Sequence, residues 1–306
     1  MCIEVKDGVL TLITSDSTGT NYLYVNQQGI EGDFYATVMA EQFAKLIGKL
    51  TCEKITLEVD DGKLKVSGNG NYTIALQYDE MGNPIKYPDP VSELGEATED
   101  TQTMTSLAVH KILNSIKPSL ALTMETPCLT AYYIGDIVTA ANGEEIGVYN
   151  AKLLDTPALR SPVALEFLAL SDSETININR YDGGVIVFET PDVTVYSMEM
   201  DGIDEYPFEQ FYDFINESMP ANCKLPKNEL LQALDRIALF VGTYDDNAIK
   251  LEFTGKALQI SSLTSTGVET VSYISGKQDV FECLMDLQAL LKYVKTQSTD
   301  TVDIQS

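Results

Sequence analysis

The chain writes one block more than twice: a helical stretch, a strand-turn-strand unit, a second helical stretch and another strand-turn-strand unit. Repetition at this period constrains the fold more than any single motif, because equivalent segments must build equivalent pieces of structure. The first strand pair recurs at 3–12, 129–140 and 249–260, and setting Leu12, Ala140 and Ile260 in register gives steps of 128 and 120 residues. The second recurs at 55–66 and 176–187, with Gly62 and Gly183 separated by 121 residues, and its third turn is expected near residue 304. Each unit alternates apolar and polar residues around an Asp-Gly, Gly-Asp or Gly-Lys turn, which predicts antiparallel hairpins with one wetted face.

Between the hairpins, apolar residues three and four apart predict helices over 38–50, 105–117, 162–170, 226–240 and 285–296. Five hairpins and five helices make an α+β chain of three similar domains, 1–90, 91–215 and 216–306. By the repeat period, the first is expected to lack its N-terminal strand and helix, and the third its C-terminal strands and tail. Two connections rich in acid and proline, 78–103 and 201–220, read as exposed, extended crossings between domains.

No apolar run approaches the ~20 residues of a membrane span, and the first six residues read as a strand rather than a leader. Cys2, Cys52, Cys128, Cys223 and Cys283 are odd in number and form no Cys-x-x-Cys pair, so they read as reduced thiols in a cytoplasmic protein. The acceptor sequences at Asn71 and Asn216 matter only in a secreted chain.

Charge carries the functional argument. A net charge of -26 spread evenly would argue against nucleic acid, since phosphate binding needs a basic surface. The spread is uneven. The helical runs with flanking Arg160 hold nine bases, Lys45, Lys49, Lys111, Lys117, Arg160, Lys227, Arg236, Lys292 and Lys295, against five acids, Glu41, Glu166, Glu229, Asp235 and Asp286. The remaining segments hold the other 11 bases of 20 and the other 41 acids of 46. A basic helical layer inside an acidic shell is the implied geometry, although lysine also favours helix surfaces for its propensity alone.

Enzymatic chemistry finds little footing. His110, the single histidine, lies in a helical run beside Lys111, which suits a surface or phosphate-facing residue. There is no Gly-x-x-x-x-Gly-Lys-Ser/Thr loop, and Gly68-Asn69-Gly70-Asn71 lies between two strands with no helix to follow. The pairs Asp60-Asp61 and Asp245-Asp246 fall at hairpin turns, where Asp bonds its own backbone. No catalytic residue, metal site or cofactor is expected.

The segments 3–25, 40–50 with 54–76, 139–148, 225–239 and 286–294, in this order and spacing, resemble the bacterial DNA polymerase III beta subunit, the processivity sliding clamp, over the whole chain. The resemblance implies a homodimeric ring of six similar domains, with sheets outside and helices lining a hole for duplex DNA. It implies that the helix bases and Arg160 face DNA without reading sequence, and that the protein works in the cytoplasm at the nucleoid. It also implies a pocket for short apolar peptides of polymerase, clamp-loader and repair proteins, walled here by Leu129, Ala141, Gly143, Ile146 and Pro207. Glu144-Glu145 stands where the family usually places a His-Arg pair. Ring closure would join the edge strand at 70–77, with Tyr72, Ile74 and Leu76, to the strand at 268–273, with Val271, while the helix at 40–50 approaches Leu239 and Phe240. The alternative is an acidic repeat scaffold that binds proteins without encircling DNA, in which the helix lysines are dispensable.

Overall fold

The computed structural model describes residues 1–87, 90–123, 125–143, 145–216, 223–242, 247–276 and 280–304. The first stretch forms β1 (Cys2–Lys6), β2 (Val9–Ser15), β3 (Asn21–Gln28), β4 (Phe34–Thr37), α1 (Ala40–Ile47), β5 (Thr56–Asp60), β6 (Lys63–Ser67) and β7 (Asn71–Ala75). The second forms β8 (Gln102–Met104), α2 (Ser106–Ile116), β9 (Tyr132–Ile134), β10 (Val138–Ala141), β11 (Ile146–Tyr149), β12 (Ala158–Arg160), α3 (Pro162–Leu168), β13 (Ile176–Tyr181), β14 (Val185–Glu189) and β15 (Val193–Met198). After α4 (Phe208–Asn216) come β16 (Cys223–Pro226), α5 (Lys227–Ile237), β17 (Ala248–Phe253), β18 (Ala257–Ser262), β19 (Val268–Ser272), β20 (Ser275–Gly276), β21 (Phe281–Asp286), α6 (Leu287–Thr296) and β22 (Thr301–Ile304).

The repeat read from the sequence reappears in the elements. Helices α2 and α5 are both 11 residues long, starting at Ser106 and Lys227, and each runs into a 3-10 turn, Lys117–Ser119 and Ala238–Phe240. All five expected hairpins form, and their strands pair antiparallel. Two of the turns show why Asp-Gly was placed there: Asp7 and Gly8 have φ of 51° and 80°, and Asp61 and Gly62 have 44° and 70°. Both central residues lie in the left-handed region, the two-residue turn whose twist matches the flanking strands.

Two compact units emerge. The first holds residues 1–113, 121–139 and 150–203, and the second 114–120, 140–149 and 204–306. In the first, an eight-stranded sheet runs in the order β4-β1-β2-β3-β15-β14-β13-β8. Its two halves are sewn together where β15 pairs with β3, from Val193 opposite Val25 to Ser197 opposite Asn21. Alternation along β1 and β2 serves both faces. Ile3, Leu10 and Leu12 pack with Phe43 of α1 and with Leu64, Val66 and Ile74 of the small sheet β5-β6-β7, whereas Cys2 and Ile13 point the other way, toward Tyr24, Val187 and Tyr196.

In the second unit, the sheets β19-β18-β17-β21 and β20-β16-β22 enclose one core with α5 and α6. Helix α5 buries Leu230, Ala233, Leu234 and Ile237, the i, i+3, i+4, i+7 stripe that holds it to the core at about 1.5–3 kcal/mol per large side chain. Helix α6 buries Leu287, Leu291 and Val294, and its first turn is capped by Asp286, whose carboxylate accepts from the Ala289 N–H at 2.7 Å.

Two expectations need correction. The crossing at 201–220 is not simply extended, because it contains α4, whose Phe208, Phe211 and Tyr212 lie three and four apart; Tyr206 meets Phe211 edge-on at 6.4 Å and Phe208 meets Tyr212 at 5.6 Å. The last helix also begins later than 285, since Met285 is still paired opposite Ile249 in β21.

Candidate functional site

On α1, α2, α3, α5 and α6, burying apolar residues leaves most of the charged residues outside. Lys45 and Lys49 are exposed at and beyond the end of α1, His110 and Lys111 on α2, Lys117 on its 3-10 turn, Arg236 on α5, and Lys292 and Lys295 on α6; Lys227 is half-buried at the start of α5. The acids Glu41, Glu166, Glu229, Asp235 and Asp286 are exposed as well. Eight bases thus stand against five acids on helix surfaces.

Much of the positive charge is locally answered. Lys45 pairs with Glu41 one turn earlier at 2.5 Å, and Lys295 lies 3.9 Å from Asp235. Arg236 grips Glu269 with both arms, Nε to Oε1 at 2.6 Å and Nη2 to Oε2 at 2.8 Å, which holds the carboxyl below its usual range and the guanidinium above its own. Lys292 donates to the Pro118 carbonyl and sits 3.5 Å from Glu145, and Lys227 donates to the Gln297 carbonyl. The side chains of Lys49 and Lys111 have no ion-pair or hydrogen-bond partner among the described residues. Exposed pairs of this kind contribute about 0–1 kcal/mol, so phosphate can displace their carboxylates.

Arg160 overturns its expected role. It lies in β12 opposite Tyr132 of β9 and is 0% exposed, so its guanidinium cannot meet a phosphate from outside. Its Nη2 donates to the Gly184 carbonyl at 2.9 Å, while Nε, Nη1 and the Tyr132 hydroxyl have no partner. Burial pulls its pKa down to about 9, against an upward pull from Glu199. A base whose folded pKa is depressed destabilises the fold below that pKa, and the penalty is relieved as pH rises through about 9. Arg160→Met is therefore expected to leave DNA retention intact and the melting temperature unchanged or higher, as when a poorly satisfied buried charge is replaced by an apolar chain. A retention assay beside a thermal melt checks this, and lost retention with an intact fold would return Arg160 to the DNA face.

The residues named for a peptide site are divided between the units. Leu129 is buried in the first. Ala141, Gly143, Ile146 and Pro207 belong to the second, with Ala141 buried, Gly143 exposed at φ 92°, and Ile146 and Pro207 half-buried. The turn carrying Gly143 is closed from both ends: Glu145 N–H donates to Asn142 Oδ1 at 3.0 Å and Asn142 Nδ2 to Glu145 Oε1 at 3.1 Å. Glu144 and the pair Asp245-Asp246 lie outside the described residues.

For ring closure, β7 and β19 are edge strands of their sheets. Ile74 and Val271, each 2% exposed, are held in their own cores, so they are corrected from contact side chains to residues offering only an edge backbone. Leu76 is half-buried and Tyr72 exposed; Leu239 and Phe240 stand out at 81% and 49%. Among the described residues, no cluster of three or more His, Cys, Asp or Glu could hold a metal ion, and no helix is long and apolar enough to cross a membrane.

No family model matches the chain, and no curated protein matches it. Solved structures do. A DNA polymerase III beta subunit of Eubacterium rectale superposes with a TM-score of 0.78 at 17% identity, covering 99% of this chain and 84% of that one. The chain has the sliding-clamp fold. The beta subunit of Thermotoga maritima gives 0.78 at 17% identity over 98% and 82%, and the sliding clamp of Bacillus subtilis 0.78 at 18% over 98% and 82%. At such identities the clamp fold is preserved by pattern, meaning hairpin alternation and helix stripes, rather than by residue identity.

Proposed function

We propose that this chain is a DNA polymerase processivity factor, a non-catalytic clamp that closes around duplex DNA as a homodimer and tethers the polymerase. The observation that carries the reading is the repeated helix whose buried face rests on antiparallel sheet and whose exposed face keeps an excess of bases in a chain of net charge -26. In this reading the acidic segments repel DNA and the helix faces tolerate it. Its contacts are to phosphate only, which positions without reading sequence. The neighbours of the same fold are named as polymerase subunits, which supports the same assignment.

In this reading, residues 1–90, 91–215 and 216–306 are three clamp domains, and the protein acts in the cytoplasm on nucleoid DNA. Ala141, Gly143, Ile146 and Pro207 serve short apolar peptides of polymerase and clamp-loader subunits. Light scattering across a concentration series tests ring formation: a stable dimer is expected, and a monomer at all concentrations would remove the ring.

A further inference from the structure

One cavity of the first unit has no place in that account. It is a half-open cleft of about 610 Å³ lined by residues that include Glu4, Ile13, Tyr24, Tyr35, Lys86, Tyr87 and Val91. Its floor is the sheet face opposite α1, built by alternate residues on adjacent strands. Glu4 is paired with Tyr35 and Thr11, Thr11 with Asn26, and Ile13 with Tyr24. Its roof is formed by Lys86, Tyr87 and Val91 of the first crossing, and the roof is pinned. Tyr35 and Thr37 both donate to the Ile85 carbonyl, at 3.0 and 2.6 Å, and the Tyr87 N–H donates back to the Tyr35 hydroxyl at 3.0 Å. Val91 and Leu94, further along the same crossing, pack against the cluster of Cys2, Ile13, Tyr24 and Val187. The cavity is therefore held open by the fold itself, within the 300–1,000 Å³ typical of ligand pockets.

The repeat says what kind of occupant fits. Ile13 precedes Ala141 by 128 residues, the step set by Leu12 and Ala140, and Tyr87 precedes Tyr206 by 119, each tyrosine being followed by proline. One residue of the peptide site proposed at the second crossing, Ala141, thus has its counterpart in the wall of this cavity at the first, and Tyr87 of the wall corresponds to Tyr206, the chain neighbour of Pro207. Here the small Ala141 is replaced by Ile13, and three tyrosyl rings supply an apolar body with polar rims, while Glu4 and Lys86 offer one charge of each sign to flanking backbone or side chains. We propose that the cavity is a second peptide site, taking a short segment of a partner protein anchored by an aromatic or branched aliphatic side chain. The proposal extends the reading of the second crossing as a peptide site, on which the choice of ligand rests.

The dipeptide N-acetyl-Leu-Phe-amide, titrated into the full chain with isoleucine methyl groups labelled for NMR, reports on both places at once through Ile13 and Ile146. Saturable movement of the Ile13 methyl is expected, weakened at least tenfold by Val91→Trp, which fills the cavity from its half-exposed roof, with the Ile146 response unchanged. Movement at Ile13 with Ile146 silent would support the cavity and count against the site at the second crossing. Movement at Ile146 alone, or at neither methyl, would overturn the cavity proposal, the former leaving the second-crossing site standing. Should Val91→Trp fail to fold, Tyr87→Ala, which removes one ring from the roof, is expected to weaken the Ile13 response by a similar factor.

Discussion

Changing Lys45, Lys111, Lys227 and Lys292 together to glutamate is expected to abolish loading onto circular DNA, and with it retention, while the dimer persists. Each substitution moves the helix surface by two charges, so an excess of eight bases over five acids becomes four bases against nine acids. Phosphate contacts supply the sequence-independent attraction, and their number sets how steeply binding falls with salt, at a slope of about -0.9 per contact. Because Lys45, Arg236, Lys292 and Lys295 already face carboxylates, the unaltered protein is expected to show a shallow salt slope, and the variant none. Exchange of the same four lysines for glutamine should give intermediate retention. Lys227 and Lys292 also hold carbonyls, so a melt must accompany the assay. Unchanged retention by the folded glutamate variant would remove these lysines from the DNA face, and absence of retention by the unaltered protein would favour an acidic scaffold that never encircles DNA.

Leu239→Asp combined with Phe240→Asp is the complementary experiment, because it leaves every helix lysine in place. Both residues belong to the 3-10 turn after α5, and Phe240 lies beside Gly267, where a Cβ would come within 2.7 Å of its ring. Substitution at exposed sites ordinarily changes stability by no more than about 0.5 kcal/mol. Two buried, unpaired carboxylates at a subunit contact would each cost several kilocalories per mole. The dimer is therefore expected to weaken by more than about a hundredfold, corresponding to roughly 2.7 kcal/mol, and retention on DNA should disappear with it. A sedimentation series measures the first effect. A dimer of unchanged affinity would place the subunit contact elsewhere.

Much of this architecture is legible in the sequence because it rests on local rules. The Asp7-Gly8 and Asp61-Gly62 turns demand positive φ, and period-two alternation assigns Ile3 and Ile13 to opposite faces. What escaped was set by tertiary neighbours. Arg160 adjoins a helical run, and only its pairing opposite Tyr132 reveals that it is interior. Tyr72, Ile74 and Leu76 share a face by alternation, yet the face turns from solvent to core along the strand, so their exposures differ. Helix α4 was hidden by the acids and proline around it, although Phe208, Phe211 and Tyr212 carried its period. The tyrosines of the cavity come from strands and a crossing up to 63 residues apart, from Tyr24 to Tyr87, and only the recurring Tyr-Pro step hinted at them.

Topological closure is put to the test by loading the protein onto nicked circular DNA, isolating the complex and cutting the circle once. A clamp held by encirclement stays on the closed circle through washes at high salt and leaves when the DNA is made linear, since weak phosphate contacts cannot hold it at an open end. Equal loss from circular and linear DNA, or retention on both, would contradict the account.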